Sequence, residues 1–270
     1  MPVPVFLSLV CAGALYLLGT RRLERRAARW RATRTWCFLG GIAVLVMALG
    51  PPLDGDADRL LSAHMVQHLL LMQVAAPLLL LGRPITLALA ASSGRTRMAL
   101  ARIAHGRIAR IVGSPVVGFA CFALVLWVSH LTGLYEAALT DETVHAVEHL
   151  AFLAAALLFW WPIVARDPGA ARLSFPARIL YVFMSMPVMS LLGYVIASSG
   201  RLLYPHYALV SGVTSALADQ RLGGTIMWEG SMLVGVAALS AVLIDWMGRE
   251  EREALRADLR RGRTSPEART

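Results

Sequence analysis

Seven histidines occur in the 270-residue chain, and four of them form two pairs with a spacing of four, His64 with His68 and His145 with His149. On an α-helix, positions i and i+4 share one face about 6 Å apart along the axis, so each pair can aim two imidazoles at one point. His130 adds a fifth ring, and Met72 continues the spacing from His68 with a thioether. Imidazole with thioether suits copper, Cu(I) above all, whereas carboxylate and water would suit magnesium or calcium. Glu148 can orient a ligand as an outer hydrogen-bond acceptor, and Asp219 and Gln220 can cap a helix beside the site or close it. Histidines on facing helices are also the axial ligands of haem cytochromes, the less favoured cofactor here. His145-Ala146-Val147-Glu148-His149 has the H-x-x-E-H form of a zinc protease, but no dedicated acidic third ligand accompanies it. Cys11, Cys37 and Cys121 lie apart in apolar runs and offer neither a disulfide framework nor a thiolate motif.

The elements that must carry these residues are membrane helices. Hydrophobic residues make up 57% of the chain and charged ones 16%, against about 25% charged in a soluble domain. A span needs about 20 mostly apolar residues, and seven segments qualify: 2–19, 35–53, 61–82, 113–133, 143–165, 175–198 and 223–247. The expected fold is an all-α, seven-helix transmembrane bundle over residues 1–247, followed by a charged cytoplasmic tail, 248–270. All 26 basic residues are arginine. Assigned to alternate sides of the membrane, 23 fall on one side and Arg59, Arg201 and Arg221 on the other. By the positive-inside rule the N-terminus is outside and the C-terminus cytoplasmic. The first span, with arginines after it and none before, reads as a retained helix rather than a cleaved signal peptide.

Under this topology six of the seven histidines lie on the outer side, and His64, His68, His130, His145 and His149 share one depth. Ionisable groups at such depth point to function. His206 falls in the last outer loop, and His105 in a basic inner connection whose residues 95–111 read as a helix lying on the anionic leaflet. The arginine excess is thereby explained without nucleic acid, and neither a Walker loop nor a G-x-G-x-x-G fingerprint occurs. Met184, Met186 and Met189 lie near mid-span, where packing is their usual role and a copper path the alternative. Pro77, Pro162 and Pro187 are expected to kink or end helices, and Gly223, Gly224 and Gly230 to permit close helix approach. Glu229, inside the last span, is expected to face polar company.

Four segments in order carry a resemblance: HMVQHLLLMQVAAPLLLLGRP (64–84), LWVSHLTGLYEAAL (126–139), HAVEHLAFLAAALLFWWPI (145–163) and DQRLGGTIMWEG (219–230). Together they resemble the CtaG family of bacterial cytochrome c oxidase assembly proteins, from about Gly50 to Met247. His64, His68, His130, His145, His149, Asp219 and Gln220 match the family's motif positions, and the sequence departs from its pattern at Glu229-Gly230. The resemblance implies a non-enzymatic, multi-pass protein of the bacterial plasma membrane, needed for an active terminal oxidase and acting through copper. Its implied partners are oxidase subunits, with an extracytoplasmic copper donor and the lipid bilayer. A copper permease and a haem-bearing cytochrome are the alternatives.

Overall fold

The computed structural model describes residues 3–164, 167–168 and 173–264. Arg166 and Arg172 of the predicted inner connection, and residues 265–270 of the predicted tail, lie outside the described residues. Among the described residues every element is helical. Six helices are long and apolar enough to cross a membrane, or seven if one bent pair counts as a single span.

Helices α1 (Val3–Glu24) and α2 (Ala32–Leu49) are followed by the short α3 (Leu53–Ala57). The third span is interrupted: α4 (Leu61–Leu69) passes through a π-helical turn, Leu70–Ala75, into α5 (Ala76–Leu81). Pro77 accounts for the interruption, because its missing N–H and its ring are incompatible with an ordinary bond to the Gln73 carbonyl. Trp160 Nε1 donates to the Met72 carbonyl at 2.9 Å and so satisfies part of the widened turn from outside. Three helices, α6 (Pro84–Ala91), α7 (Gly94–Ala104) and α8 (Arg107–Val112), make the connection to the next span. On α7 and α8 both the apolar Met98, Ile103 and Ile108 and the basic Arg102, Arg107 and Arg110 are exposed.

Pro115 at its first turn and the Ser114 hydroxyl, which accepts from Val117 N at 3.3 Å, start α9 (Pro115–Leu131). At Thr132-Gly133 the chain turns by 70° into α10 (Leu134–Thr140), so the predicted span 113–133 ends as a broken helix. Asp141 caps α11 (Glu142–Val164) by accepting from the Thr143 and Val144 amides at 2.8 and 3.0 Å. Then come α12 (Phe175–Ser198), α13 (His206–Ser211) and the long α14 (Val213–Thr264). The last helix begins at Val213, not at 223, and runs without a break past 247. Its polar first turns are tolerated because Asp219 and Gln220 are bonded to other elements.

Alternate connections gather at opposite ends of the bundle. At one end α3, α10 and α13 meet: Tyr207 OH donates to the Ala57 carbonyl at 3.2 Å, and Tyr135 OH lies 3.3 Å from Tyr207 OH. At the other, Tyr16 OH donates to the Gly82 carbonyl at 2.7 Å, and the Asp167 carboxylate accepts from the Thr86 amide at 2.9 Å and from its hydroxyl. Between them runs a core that includes Phe122, Phe152, Phe159 and Trp160. The outward faces of the spans expose Leu, Val and Phe, as lipid contact requires.

Candidate functional site

Both histidine pairs face inward at the end where α3, α10 and α13 meet. On α4, His64 is fully buried and His68 nearly so, and the two Nε2 atoms stand 2.9 Å apart. From α11, His145 and His149 approach to ring-centroid distances of 5.3 and 5.9 Å from His64. Donor atoms of His64, His145 and His149 all lie within 4.8 Å of one another, and so do those of His64, His68 and Glu148. These two groups share His64. Glu148, expected only as an outer acceptor, is thus close enough to be a ligand itself.

His130 stands behind His68, with ring centroids 5.7 Å apart. Its Nδ1 lies 2.8 Å from the Leu126 carbonyl, which can only accept, so Nδ1 carries the proton and Nε2 keeps the lone pair. His64 is governed similarly. Tyr207 OH donates to Ala57, leaving its oxygen to accept from His64 Nδ1 at 3.4 Å, which turns the His64 Nε2 lone pair toward His68. At 2.9 Å, His68 Nε2 can donate its own proton to that lone pair, which leaves the His68 lone pair on Nδ1, or the two Nε2 atoms can share a cation.

Several buried polar atoms here have no hydrogen-bond partner among the described residues: His68 Nδ1, His130 Nε2, His145 Nε2, His149 Nε2 and both oxygens of Glu148. Buried polar groups are normally paired, and a buried carboxyl needs either a proton or a positive partner. A metal ion would answer both requirements, since it takes lone pairs and supplies positive charge. The donor set of imidazoles and one carboxylate therefore fits a transition metal. The floor is apolar: Phe152 packs on His68 at 4.4 Å between ring centroids. A cavity of about 890 Å³, with Asp54, Asp58, Asp141 and Glu142 among a mostly apolar lining, reaches His145 and His149. Acidic walls raise the local concentration of cations.

The remaining expected residues act at one remove or elsewhere. Asp219 accepts from the Ser62 amide at 3.2 Å and from its hydroxyl, fixing the start of α4 against α14. Gln220 accepts from Leu203 N at 2.7 Å and donates to the Arg201 carbonyl at 3.1 Å, holding the loop that leads to α13. Met72 is buried within the π turn, where the α-helical spacing that would align it with His64 and His68 has ended at Leu69. Glu229 is exposed on α14 rather than turned toward polar company. Met184 is 44% exposed, whereas Met186 and Met189 line a small internal cavity with Gln73, whose amide donates to Met189 Sδ at 2.8 Å. Sequence reasoning missed Tyr135, Tyr204 and Tyr207, the roof over His64. Their signal was proximity, since Tyr135 closely follows His130 and the other two flank His206.

Residues 14–249 match the family described as cytochrome c oxidase caa3 assembly factor (Caa3_CtaG). The chain belongs to this family. An uncharacterized protein of Mycobacterium bovis is 30% identical over 254 residues, which cover 90% of this chain and 38% of the relative. An uncharacterized protein of Mycobacterium tuberculosis gives the same figures, and one of Mycobacterium leprae is 28% identical over 259 residues, covering 92% of this chain and 39% of its own length. The chain thus spans about two fifths of the length of these curated relatives. No solved structure matches it. The family match agrees with the resemblance carried by the four sequence segments, and all the histidines described above fall inside it.

Proposed function

We propose that this protein is a membrane-embedded assembly factor of cytochrome c oxidase that carries copper as cargo at the cluster of His64, His68, His145, His149 and Glu148. His130 stands in reserve beside them, and Asp219 and Gln220 hold the elements in place. The observation that carries this reading is the pair of donor groups sharing His64, with buried nitrogens and a buried carboxyl around them that have no hydrogen-bond partner among the described residues. Family membership supplies the oxidase context.

Under this reading the histidine end faces the extracytoplasmic side of the bacterial plasma membrane, and the arginine end faces the cytoplasm. Copper reaches the cluster from that outer side, from a donor protein, and leaves by ligand exchange to an oxidase subunit that carries a copper centre. The imidazoles hold it with their lone pairs, and Glu148 offsets its charge. Tyr207 fixes the His64 tautomer, and Phe152 keeps water from below. The work is binding and transfer rather than catalysis.

Metal analysis of the purified protein after Cu(I) loading tests this, together with a visible spectrum. Bound copper without a Soret band supports the proposal, and a Soret band would assign the histidines to haem. Replacing His64, His68, His145 and His149 together with Ala should remove the copper and the oxidase activity of the host. Full oxidase activity with that variant would refute it. A copper permease is the second reading, favoured by Met186 and Met189 beside Gln73 in mid-bundle. Deletion distinguishes the two, since loss of oxidase activity with normal cellular copper excludes transport as the main role.

A further inference from the structure

The two donor groups that share His64 differ in their surroundings. His145 and His149 line the cavity of about 890 Å³, whereas His64, His68 and Glu148 are not among its described lining residues. His64 is 0% and His68 4% exposed, and both Glu148 oxygens are buried. The group of His64, His145 and His149 therefore opens to the cavity, and the group of His64, His68 and Glu148 lies behind it. Helix α11 feeds both. Successive residues of a helix are turned about 100° from each other, so His145 and His149 share a face while Glu148 projects to one side of it.

The groups also differ in charge. Cu(I) held by neutral imidazoles alone keeps its positive charge, whereas with the Glu148 carboxylate among its ligands it is neutralised. A buried, low-dielectric place favours the neutral assembly, because burying a net charge is costly. The inner group thus suits retention and the outer group access. His130 adds to the inner side, since its Nε2 has no hydrogen-bond partner among the described residues and its ring centroid stands 5.7 Å from that of His68.

His64 can serve only one group at a time. Its Nδ1 proton is directed at the Tyr207 oxygen, which leaves Nε2 with the one lone pair of the ring. Two ions cannot share that lone pair, so the groups are alternative positions of a single ion. Resting on the copper reading above, we propose that the cluster is a two-position transfer site for one Cu(I). The outer position, at His64, His145 and His149, exchanges the ion with partner proteins, and the inner position, at His64, His68 and Glu148, holds it between exchanges. His64 keeps its bond throughout as the pivot. The bonds to His145 and His149 break as those to His68 and Glu148 form, so the ion is never stripped of ligands and no electron is transferred. Any proton that Glu148 carries in the empty site leaves through the cavity to water.

The test compares Cu(I) stoichiometry, loading rate and removal by a chromophoric chelator in the full chain, purified in detergent, and in two double variants. His68→Ala with Glu148→Gln keeps the outer position, and His145→Ala with His149→Ala keeps the inner one. The wild type and both double variants should bind one ion each, and His64→Ala, which breaks both positions, should lose it. Removal from the outer-only variant should be about tenfold or more faster than from the wild type, and loading of the inner-only variant slower by a similar factor, since losing even an outer partner of a ligand changes metal affinity about 10- to 100-fold. Glu148→Gln alone preserves the shape of the site and should speed removal in the same direction, which keeps the test valid if a double variant fails to fold. Loss of copper from a double variant that still unfolds cooperatively on heating would overturn the two positions while leaving copper binding in place. So would two ions on the wild type, or an unchanged removal rate in Glu148→Gln. A wild-type protein that binds no copper would refute the underlying reading, and this proposal with it.

Discussion

His64 has the most demanding position in the cluster, because it belongs to both donor groups while the other four members belong to one each. Removing it breaks both sets, whereas removing His145 leaves His64, His68 and Glu148 together. His64→Ala should therefore weaken Cu(I) binding more than His145→Ala does, as read by competition with a chromophoric Cu(I) chelator. Tyr207→Phe keeps the ring but removes the oxygen that accepts from His64 Nδ1. Losses of such outer partners cost about 10- to 100-fold in metal affinity, so Tyr207→Phe should fall in that range with its copper stoichiometry intact. A ligand role for His145 equal to that of His64 would appear as equal losses in the two Ala variants.

The elements that position these side chains are held by two devices, a widened turn and close helix contact. The π turn follows directly after the helix that carries His64 and His68, and the Trp160 indole binds its Met72 carbonyl. Trp160→Phe removes that bond at a net cost of about 1 kcal/mol and should weaken copper binding without removing any ligand, which chelator competition and thermal unfolding in detergent together would detect. Close contact is tightest between α12 and α14, where a Cβ on Gly224 would stand 2.4 Å from the Ala197 nitrogen and 2.6 Å from the Gly193 carbonyl oxygen. Both are backbone atoms with nowhere to retreat. Gly224→Ala should destabilise the protein by about 1–3 kcal/mol, the usual cost of overpacking, seen as a lowered midpoint of thermal unfolding in detergent.

Across the whole molecule, charge divides the two ends. The histidine end opens through Asp54, Asp58, Asp141 and Glu142, and the arginine end through Arg31, Arg34, Arg83 and Arg178. The orientation proposed from the positive-inside rule has a direct check. In a background with Cys11, Cys37 and Cys121 replaced, a cysteine at Thr143 should react with a membrane-impermeant maleimide in intact cells, and one at Ser93 only after permeabilisation. The reverse pattern would put the histidines on the cytoplasmic side and exclude an outer copper donor.

The chain's own residues were enough to read the helical membrane fold, the separation of arginine from histidine, and the two histidine pairs on shared helix faces. Each depends on properties that act locally along one segment: hydropathy summed over a span, charge in a connection, and the 3.6-residue period. Legibility ended where segments distant in sequence meet. That α4 and α11 aim their pairs at one point, that Glu148 joins the donor atoms, and that Tyr207 on α13 reaches His64 all depend on which helix faces pack together. Met72 lies at the same boundary, because its spacing from His68 runs into the turn forced by Pro77 and held by Trp160, where the local period alone no longer fixes the face a side chain takes. Arg83 and Arg178, 95 positions apart in the chain, read as orientation signals in the sequence, and only the packing of α5, α11, α12 and α14 makes them walls of one cavity. A local period tells a helix which face to bury, but side-chain volumes and backbone approach between helices decide what that face meets.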